Sequence, residues 1–433
     1  MQTKRIIRIT LILFFITGVF CAGAIAIGAS RPTTRIVAQI YSYSEDKQYL
    51  ALLDMNRNLP IQVNFPVELR NAIVISDDGR RFILPTGALN QATLLLWELH
   101  TGKTVELPQK YVNCSALNWR WLRDNRHVLF QCRDNPQDGT IGGMYTFDFE
   151  TGNVYPLYNN PSVIMPHQWS SDNRRVAIND DGKVFIVGVQ GDNLTTITPE
   201  GRRFTFVAWL PDGESVLLRG RSTIERYTFS TGELEVILDE FEVNSEPVLS
   251  PDGAWLALVT SERRPRAYAF NLATAELNPL ETTELKINNV VWVGWSPDSQ
   301  WVMIRTIIES REGNFYYLAR PDGALVTLLA ENIEAIPIWS ADSTRVTYSI
   351  YDEMDSTYYS ELAVWDVSSF LPPQPVFPYG QFPLWSPDDT VLVFIESPNA
   401  LGSIRRLGYY TAQGGVHFLT NDDSSVVEFI FIR

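Results

Sequence analysis

The sequence predicts an all-β protein, a single β-propeller of eight four-stranded blades, or of nine on a strict count, preceded by one N-terminal transmembrane or signal helix. Three observations predict this fold. A turn of the Ser-Pro-Asp-Gly type recurs along the chain at near-constant spacing. A second turn, Thr-Gly between two short apolar runs, recurs inside the units. No segment between the repeats has the periodicity of a helix, so the repeats are sheets arranged around an axis.

The N-terminal segment, residues 1–35, is predicted to be a signal peptide or a membrane anchor. Lys4, Arg5 and Arg8 precede an uncharged apolar run at 9–29. A run of this length can span a bilayer core of about 30 Å, and cations that precede such a run favour its insertion with the following chain outside the cytoplasm. We therefore expect an extracytoplasmic protein, periplasmic or at the cell surface, that is anchored by residues 9–29, with cleavage of the segment as the alternative.

The repeated turn contains an aspartate that occurs eight times at intervals of 40 to 48 residues. In EPVLSPDGAWLAL, residues 246–258, two apolar runs flank the bend, which is typical of a hairpin. Asp and Ser side chains accept backbone N–H groups in such turns, so we expect these aspartates to be structural. The eight turn aspartates are Asp78, Asp124, Asp172, Asp212, Asp252, Asp298, Asp342 and Asp388.

Each unit of about 44 residues is expected to hold four strands, A to D, with the repeated turn between A and B. Hairpins such as WELHTGKTVEL at 97–107 supply strands C and D. Residues 36–433 are therefore assigned to one propeller. Residues 36–64 have the pattern of strands B, C and D, and 426–433 that of a strand A, so the closing blade is predicted to combine both ends of the chain.

The units at 209–218, 249–258, 295–304 and 385–394 follow the pattern W-S-P-D-G-x-x-[LVI]-[AV]-[FLI] with one or two departures each. They resemble the TolB-type, WD-repeat-like propeller repeat, and the resemblance covers approximately residues 36–433. It implies the propeller fold and a protein that binds rather than reacts. The chain departs from TolB in lacking a recognisable α/β domain before the propeller and in having more units, so TolB's partners are not carried over to it.

The connections between strands are expected to differ between the two faces of the ring. A–B and C–D turns are short and alike, whereas the segments assigned to B–C and D–A connections vary, as at 133–142, 307–314, 351–361 and 368–382. Variable connections on a rigid frame are where binding usually occurs. We therefore expect the B–C and D–A face to bind a protein, a peptide or an envelope glycan.

The segment 351–382 is the richest of these in aromatic, acidic and proline residues. An acidic and aromatic patch suited to a cationic peptide or a sugar ring is predicted there. The alternative is that the aromatic side chains pack on their own blade. The candidate binding residues are Tyr351, Asp352, Glu353, Asp355, Tyr358, Tyr359 and Tyr379.

Charge and motifs argue against several function classes. A net charge of −15 disfavours nucleic acid as a partner. The sequence has no nucleophile elbow, HExxH motif or glycine-rich phosphate loop, so no catalytic residue, metal or cofactor is expected. Cys114 and Cys132 fall on adjacent predicted strands and either form a disulfide or remain two separate buried thiols.

The leading hypothesis is an exported, non-enzymatic propeller that serves as a binding scaffold. The alternative is a propeller glycosidase or lyase whose acid and base are carboxylates near the central channel. A third hypothesis is a subunit that docks beside a separate catalytic chain. The enzyme hypothesis predicts that two or three carboxylates converge at one end of the channel.

Overall fold

The computed structural model describes residues 35–54, 61–63, 73–86, 93–108, 111, 119–132, 142–160, 169–283, 285–307, 314–331, 333, 335–354, 357–369, 373–396, 405–421 and 424–432. Within these ranges the chain forms 35 β-strands in nine antiparallel sheets. No helix in the described part is long and apolar enough to cross a membrane. The predicted helix at 9–29 lies outside the described residues.

Three strands open the chain and belong to the sheet that closes the ring: β1 (Arg35–Ser42), β2 (Lys47–Asp54) and β3 (Ile61–Val63). Blade 1 contains β4 (Val74–Ile75), β5 (Arg81–Thr86), β6 (Thr93–Glu98) and β7 (Thr104–Glu106). Blade 2 contains β8 (Arg120–Trp121), β9 (His127–Cys132), β10 (Gly143–Asp148) and β11 (Val154–Tyr158). Blade 3 contains β12 (Arg175–Asp180), β13 (Lys183–Gly188) and β14 (Thr195–Thr196), and a bridge from Trp169 to Val176 stands in for its strand A.

Blade 4 contains β15 (Thr205–Trp209), β16 (Ser215–Arg219), β17 (Ile224–Thr228) and β18 (Glu233–Leu238). Blade 5 contains β19 (Val248–Leu249), β20 (Trp255–Val259), β21 (Ala267–Asn271) and β22 (Leu277–Pro279). Blade 6 contains β23 (Val290–Trp295), β24 (Val302–Ile307), β25 (Asn314–Ala319) and β26 (Val326–Ala330).

Blade 7 contains β27 (Ile338–Trp339), β28 (Arg345–Met354), β29 (Thr357–Asp366) and β30 (Gln374–Pro378). Blade 8 contains β31 (Gly380–Trp385), β32 (Leu392–Glu396), β33 (Arg406–Thr411) and β34 (Gly415–Phe418). Blade 9 has the strand order β3-β2-β1-β35, and β35 (Ser424–Ile432) is its strand A. The last strand of the chain is thus paired with the first.

The propeller has nine blades, which agrees with the strict count from the sequence and not with the commoner eight. Eight blades carry the repeated turn. Blade 9 has no A–B turn because its strands A and B come from opposite ends of the chain, and Arg35 pairs with Ile432 where those ends meet. Eight turns therefore mark nine blades.

The hydrophobic core lies between neighbouring blades. The residues of β1 alternate between two clusters: Ile36 and Ala38 pack with the blade 8 residue Val393, whereas Val37 packs with the blade 1 residue Phe82. Successive side chains of a strand point to opposite faces. Because both faces of blade 9 are covered in this way, the ring is closed by burial of apolar area as well as by backbone hydrogen bonds.

The antiparallel order of the blades sorts the connections onto two faces. We call the face that carries the A–B and C–D connections the turn face, and the face that carries the B–C and D–A connections the loop face. Connections of ten or more residues, at 64–73, 107–119, 133–142 and 280–289, all join strand B to C or strand D to A and so belong to the loop face. The start of β1 and the end of β35 are on the turn face, since Arg35 is paired with Ile432 and with Asp54, the residue that precedes the C–D connection of blade 9.

Candidate functional site

The turn aspartates form hydrogen bonds within their own turns. Asp298 accepts the Ser296 hydroxyl at 2.6 Å and the Gln300 N–H at 3.0 Å. The Ser296 oxygen in turn accepts the Trp301 N–H at 2.9 Å. The same two contacts to the carboxylate, from a serine and from a backbone N–H, occur at Asp78, Asp172, Asp252, Asp342 and Asp388.

Two of the eight turns have leucine in place of the serine, so their second backbone N–H group needs another acceptor. The carboxylate of Asp212 accepts both backbone N–H groups itself, from Glu214 at 2.8 Å and from Ser215 at 2.9 Å. Asp124 also accepts two N–H groups, at 2.9 and 3.0 Å. The carboxylate is therefore the constant acceptor of the turn, and the serine is the variable part.

These contacts favour the ionised form of several turn aspartates. At Asp388, burial raises the pKa, but hydrogen bonds from the Ser386 and Thr390 hydroxyls and the Thr390 N–H outweigh it, so the pKa lies below its usual range. The pKa of Asp172 is lowered against burial in the same way. Among the described residues, no group of three or more histidine, cysteine or acidic side chains is arranged to hold a metal ion.

Side chains beside the turn aspartates join neighbouring blades on the turn face. Ser343 accepts the N–H of Asp298, in the preceding blade, at 3.0 Å, and the same bond recurs between blades 5 and 6. In blade 8 this position is Asp389, whose two oxygens accept the N–H groups of Ala341 and Asp342, both at 2.7 Å. A carboxylate at this position makes two links where a hydroxyl makes one.

Arginines three residues after the turn aspartate add a second link between blades. The Arg345 guanidinium donates to the Asp389 carbonyl at 2.6 Å and lies 4.2 Å from the centre of the Trp385 ring. The arginines that donate in this way to the next blade are Arg81, Arg175 and Arg345. The turn face is thus occupied by contacts that hold the ring together.

The predicted acidic and aromatic patch lies on a hairpin and not on an irregular loop. Strands β28 and β29 have ten residues each and are the longest of the described strands. Their register pairs Asp352 with Tyr359 and Glu353 with Tyr358. Paired positions share a face and successive positions alternate, so Tyr351, Glu353 and Tyr358 occupy positions on one face, and Asp352 and Tyr359 positions on the other. The candidate positions are therefore divided between the two faces of the hairpin.

The other two candidate residues of the patch are placed differently. Asp355 lies outside the described residues. Tyr379, half-buried with a φ of 66°, is the single residue between β30 and β31, so it is the whole D–A connection at this point. The prediction that 368–382 is one long connection was wrong: this stretch holds the C–D connection, strand β30 and the start of β31. Proline is tolerated in β30 because it is the outermost strand of its blade.

An ion pair between a half-exposed arginine and a buried carboxylate joins blades 3 and 4 on the loop face. The Glu225 carboxylate, at the start of β17, is almost fully buried and accepts two bonds from the Arg202 guanidinium, one of them at 3.0 Å. Thr223 donates its hydroxyl to the same carboxylate at 2.8 Å. The arginine also lies 4.5 Å from the centre of the Phe204 ring. The pair fixes a D–A connection to the neighbouring strand C.

A pocket of about 310 Å³ opens on the loop face between blades 5 and 6. It lies between the B–C connection of blade 5, the D–A connection that leads to blade 6 and the end of β24. The lining residues are Arg263, Arg264, Lys286, Ile287, Asn288, Asn289, Thr306 and Tyr317. Its volume is within the range of small-molecule sites, and its charged lining residues are all basic.

Backbone hydrogen bonds hold the walls of this pocket in place. Thr260 and Arg266 exchange bonds of 3.0 Å across the base of the B–C connection. Val290 donates its N–H to the Pro265 carbonyl at 3.0 Å, and Ile307 donates to the Asn289 carbonyl at 3.3 Å. The three segments are thus tied together without a ligand, so the pocket is largely preformed.

This pocket was not predicted from the sequence. The available signal was the run SERRPRAYAF at 261–270, in which Arg263, Arg264 and Arg266 interrupt an acidic chain at a B–C connection. A cluster of three arginines in four residues is unusual for a connection in a protein with a net charge of −15. The remaining lining residues, at 286–289, 306 and 317, come from three other parts of the sequence and become neighbours of the arginines only in the fold.

The question whether Cys114 and Cys132 form a disulfide is answered only for Cys132. Cys132, at the end of β9, is fully buried and disulfide-bonded. Cys114 lies outside the described residues. The pairing of Cys114 with Cys132 stays a prediction.

No protein-family model matches the chain, and no curated protein matches it in sequence. Solved structures do match. A crystal structure of a eukaryotic initiation factor is 12% identical, with a TM-score of 0.65, and the match covers 93% of this chain and 99% of that chain. Dipeptidyl peptidase 4 from Porphyromonas gingivalis is 12% identical, with a TM-score of 0.52, over 84% of this chain and 62% of that chain.

TolB from Acinetobacter baumannii is also among the matches. It is 17% identical over 67% of this chain and 79% of that chain, with a TM-score of 0.32. At identities this low, the likenesses to the initiation factor and the peptidase concern fold alone. The chain is a β-propeller, as the resemblance of its repeats to the TolB-type repeat implied.

Proposed function

We propose that this protein is an exported, membrane-tethered β-propeller that binds an extracytoplasmic ligand through its loop face and has no catalytic role of its own. The observation that supports the proposal most directly is the structural difference between the two faces. The turn face is used for links between blades, such as those of Asp389 and Arg345. The loop face has the longest connections and the basic pocket.

The place where strand β1 begins supports a fixed orientation of the propeller at a membrane. Strand β1 begins on the turn face at Arg35, and only residues 30–34 separate it from the proposed anchor at 9–29. Six Cα steps reach about 20 Å at most. Strand β1 alone, with eight residues, is about 26 Å long. A tether this short favours an orientation in which the turn face lies toward the membrane and the loop face points away from it.

A face-specific block tests the binding role. Arg221, on the B–C connection of blade 4, and Ser230, on its C–D turn, are both exposed and lie on opposite faces of one blade. In a Cys21→Ala background, a bulky maleimide polymer is attached to Arg221→Cys or to Ser230→Cys, and envelope components cross-linked to each protein are quantified. We expect the block at position 221 to reduce their recovery and the block at 230 to leave it unchanged. Equal recovery from both proteins would refute a loop-face ligand.

The hairpin of β28 and β29 is a second candidate region within the same proposal. Replacing Tyr358, Tyr359 and Asp355 together by alanine removes the aromatic and acidic groups predicted to bind. We expect a lower recovery of the same cross-linked components, with thermal stability unchanged. If their recovery is untouched, the hairpin is not part of the binding surface, and the role of the loop face then depends on other segments.

A further inference from the structure

We propose that the pocket between blades 5 and 6 binds a small polyhydroxylated anion, a ligand that carries a carboxylate or a phosphate next to hydroxyl groups. This inference rests on the proposed function, because it names the ligand class of the loop face. It concerns one defined cavity, whereas the proposed function concerns the face as a whole.

The charge at the pocket is only partly neutralised by the protein itself. Lys286 is 2.8 Å from the Glu281 carboxylate, and Arg266 lies 3.2 Å from Glu262 and 3.8 Å from Glu281. Those two carboxylates are therefore matched by two cations. Arg263 and Arg264, which line the pocket, have no hydrogen-bond or ion-pair partner among the residues that the structure describes.

Arg263 and Arg264 therefore place two positive charges without a carboxylate partner in the described part of the chain at one pocket, and an anion bound there neutralises them. Arginine binds carboxylate and phosphate groups through two parallel hydrogen bonds, which gives it an advantage over lysine for planar oxyanions. The chain as a whole has a net charge of −15. A site that retains an anion on such a protein needs a local excess of positive charge, and Arg263 and Arg264 supply it.

The rest of the lining supplies neutral polar groups and a ring. The side chains of Asn288 and Asn289 and the hydroxyl of Thr306 can donate to and accept from ligand hydroxyls, and Tyr317 adds an aromatic ring. The buried Ile287 belongs to the core between blades 5 and 6 and gives the pocket a rigid apolar floor. A volume of about 310 Å³ corresponds to about ten water molecules. That space suits one sugar-sized anion.

Binding measured by calorimetry with the full chain in detergent tests this proposal. The probes are glucuronate and glucose 6-phosphate, which separate a carboxylate from a phosphate source, with glucose as the neutral comparison. The test variant is R263Q/R264Q. The matched control, R203Q/R221Q, removes the same charge from two exposed arginines on the loop face, outside the pocket. Thermal melting of each variant verifies that the fold is retained.

We expect saturable binding of at least one anionic probe by the wild type and by R203Q/R221Q, at least about tenfold weaker binding by R263Q/R264Q, and weaker binding as salt is added. Three results overturn the proposal: no saturable binding of either anion by the wild type, equal binding of glucose, or an equal loss in the two double variants. None of these results decides the outcome of the maleimide block at positions 221 and 230. The pocket proposal can therefore be refuted while the proposed role of the loop face still stands.

Discussion

The link between blades 7 and 8 at Asp389 permits a quantitative test of how the ring is held together. The carboxylate accepts two backbone N–H groups from the preceding blade at 2.7 Å and is 8% exposed. Asp389→Ala removes both acceptors, and little water can replace them. Asp389→Ser introduces the residue that blades 6 and 7 use at the same position, where Ser299 and Ser343 each accept one N–H group.

The expected losses follow mainly from the number and kind of bonds, and the φ of 56° at Asp389 adds a smaller cost because aspartate adopts a left-handed backbone conformation more readily than alanine or serine. A hydrogen bond to a charged group contributes about 1.5 to 3 kcal/mol, and two that share one carboxylate are not independent. We therefore expect Asp389→Ala to lower the free energy of unfolding by about 3 kcal/mol. Asp389→Ser keeps one neutral bond and should lose about 2 kcal/mol. With an unfolding entropy of about 2.1 cal/mol/K per residue and about 400 residues, 3 kcal/mol lowers Tm by about 4 °C.

Differential scanning calorimetry at pH 7 measures these shifts. Asp77→Ala is the matched control, because Asp77 is exposed on the same face, loses the same charge and makes no hydrogen bond to the described residues. We expect Asp389→Ala to have the lowest Tm and Asp389→Ser the next lowest, whereas Asp77→Ala and the wild type should melt at the same, higher temperature. If Asp389→Ala melts within 1 °C of the Asp77→Ala control, the carboxylate does not hold the two blades together, and the reasoning is refuted.

Three further predictions concern other parts of the ring. Arg202→Met leaves the buried carboxylate of Glu225 without a cation; because Arg202 is half-exposed, the expected loss lies between those of an exposed and of a fully buried pair, about 2 kcal/mol in a urea titration, and a variant as stable as the wild type contradicts this. Because the folded pKa of Asp388 is below its unfolded value, its stabilising contribution is present above about pH 4 and is lost as the pH falls further. Asp388→Asn should therefore flatten the fall of Tm on acidification, and an unchanged slope counts against this role. Under non-reducing conditions, mass spectrometry should recover a peptide of Cys132 joined to one of Cys114; a peptide of Cys132 joined to any other cysteine disproves this pairing.

Much of the fold could be predicted because its sequence signal is local and repeated. Eight of the nine blades share one turn whose aspartate, for example Asp298, accepts hydrogen bonds from its own turn, so the residue recurs wherever the turn does. The number of blades was harder to infer, because a ring closed by both chain ends has one A–B turn fewer than it has blades. Nine blades and eight turns follow from the same closure.

The sorting of the connections onto two faces was predictable from the sequence, whereas the local structure of the loop face was not. The acidic and aromatic residues at 351–361 suggested a loop, yet tyrosine and threonine have high strand propensity and β28 and β29 continue through them. The prolines at 372–378 suggested a connection, yet the edge strand β30 includes Pro375 and Pro378. The basic pocket depends on contacts between segments about 20 residues apart in sequence, and no local pattern records such contacts.

The orientation of the propeller at a membrane is the most direct test of the proposed division between the two faces. The full chain, with Cys21→Ala and a donor dye at either Ser230→Cys or Arg221→Cys, is placed in lipid vesicles that carry an acceptor dye on the headgroups. The two positions are separated by a strand of five residues, about 17 Å. We predict more efficient energy transfer from position 230 than from position 221. Equal transfer, or stronger transfer from position 221, would show that the loop face is not held away from the membrane.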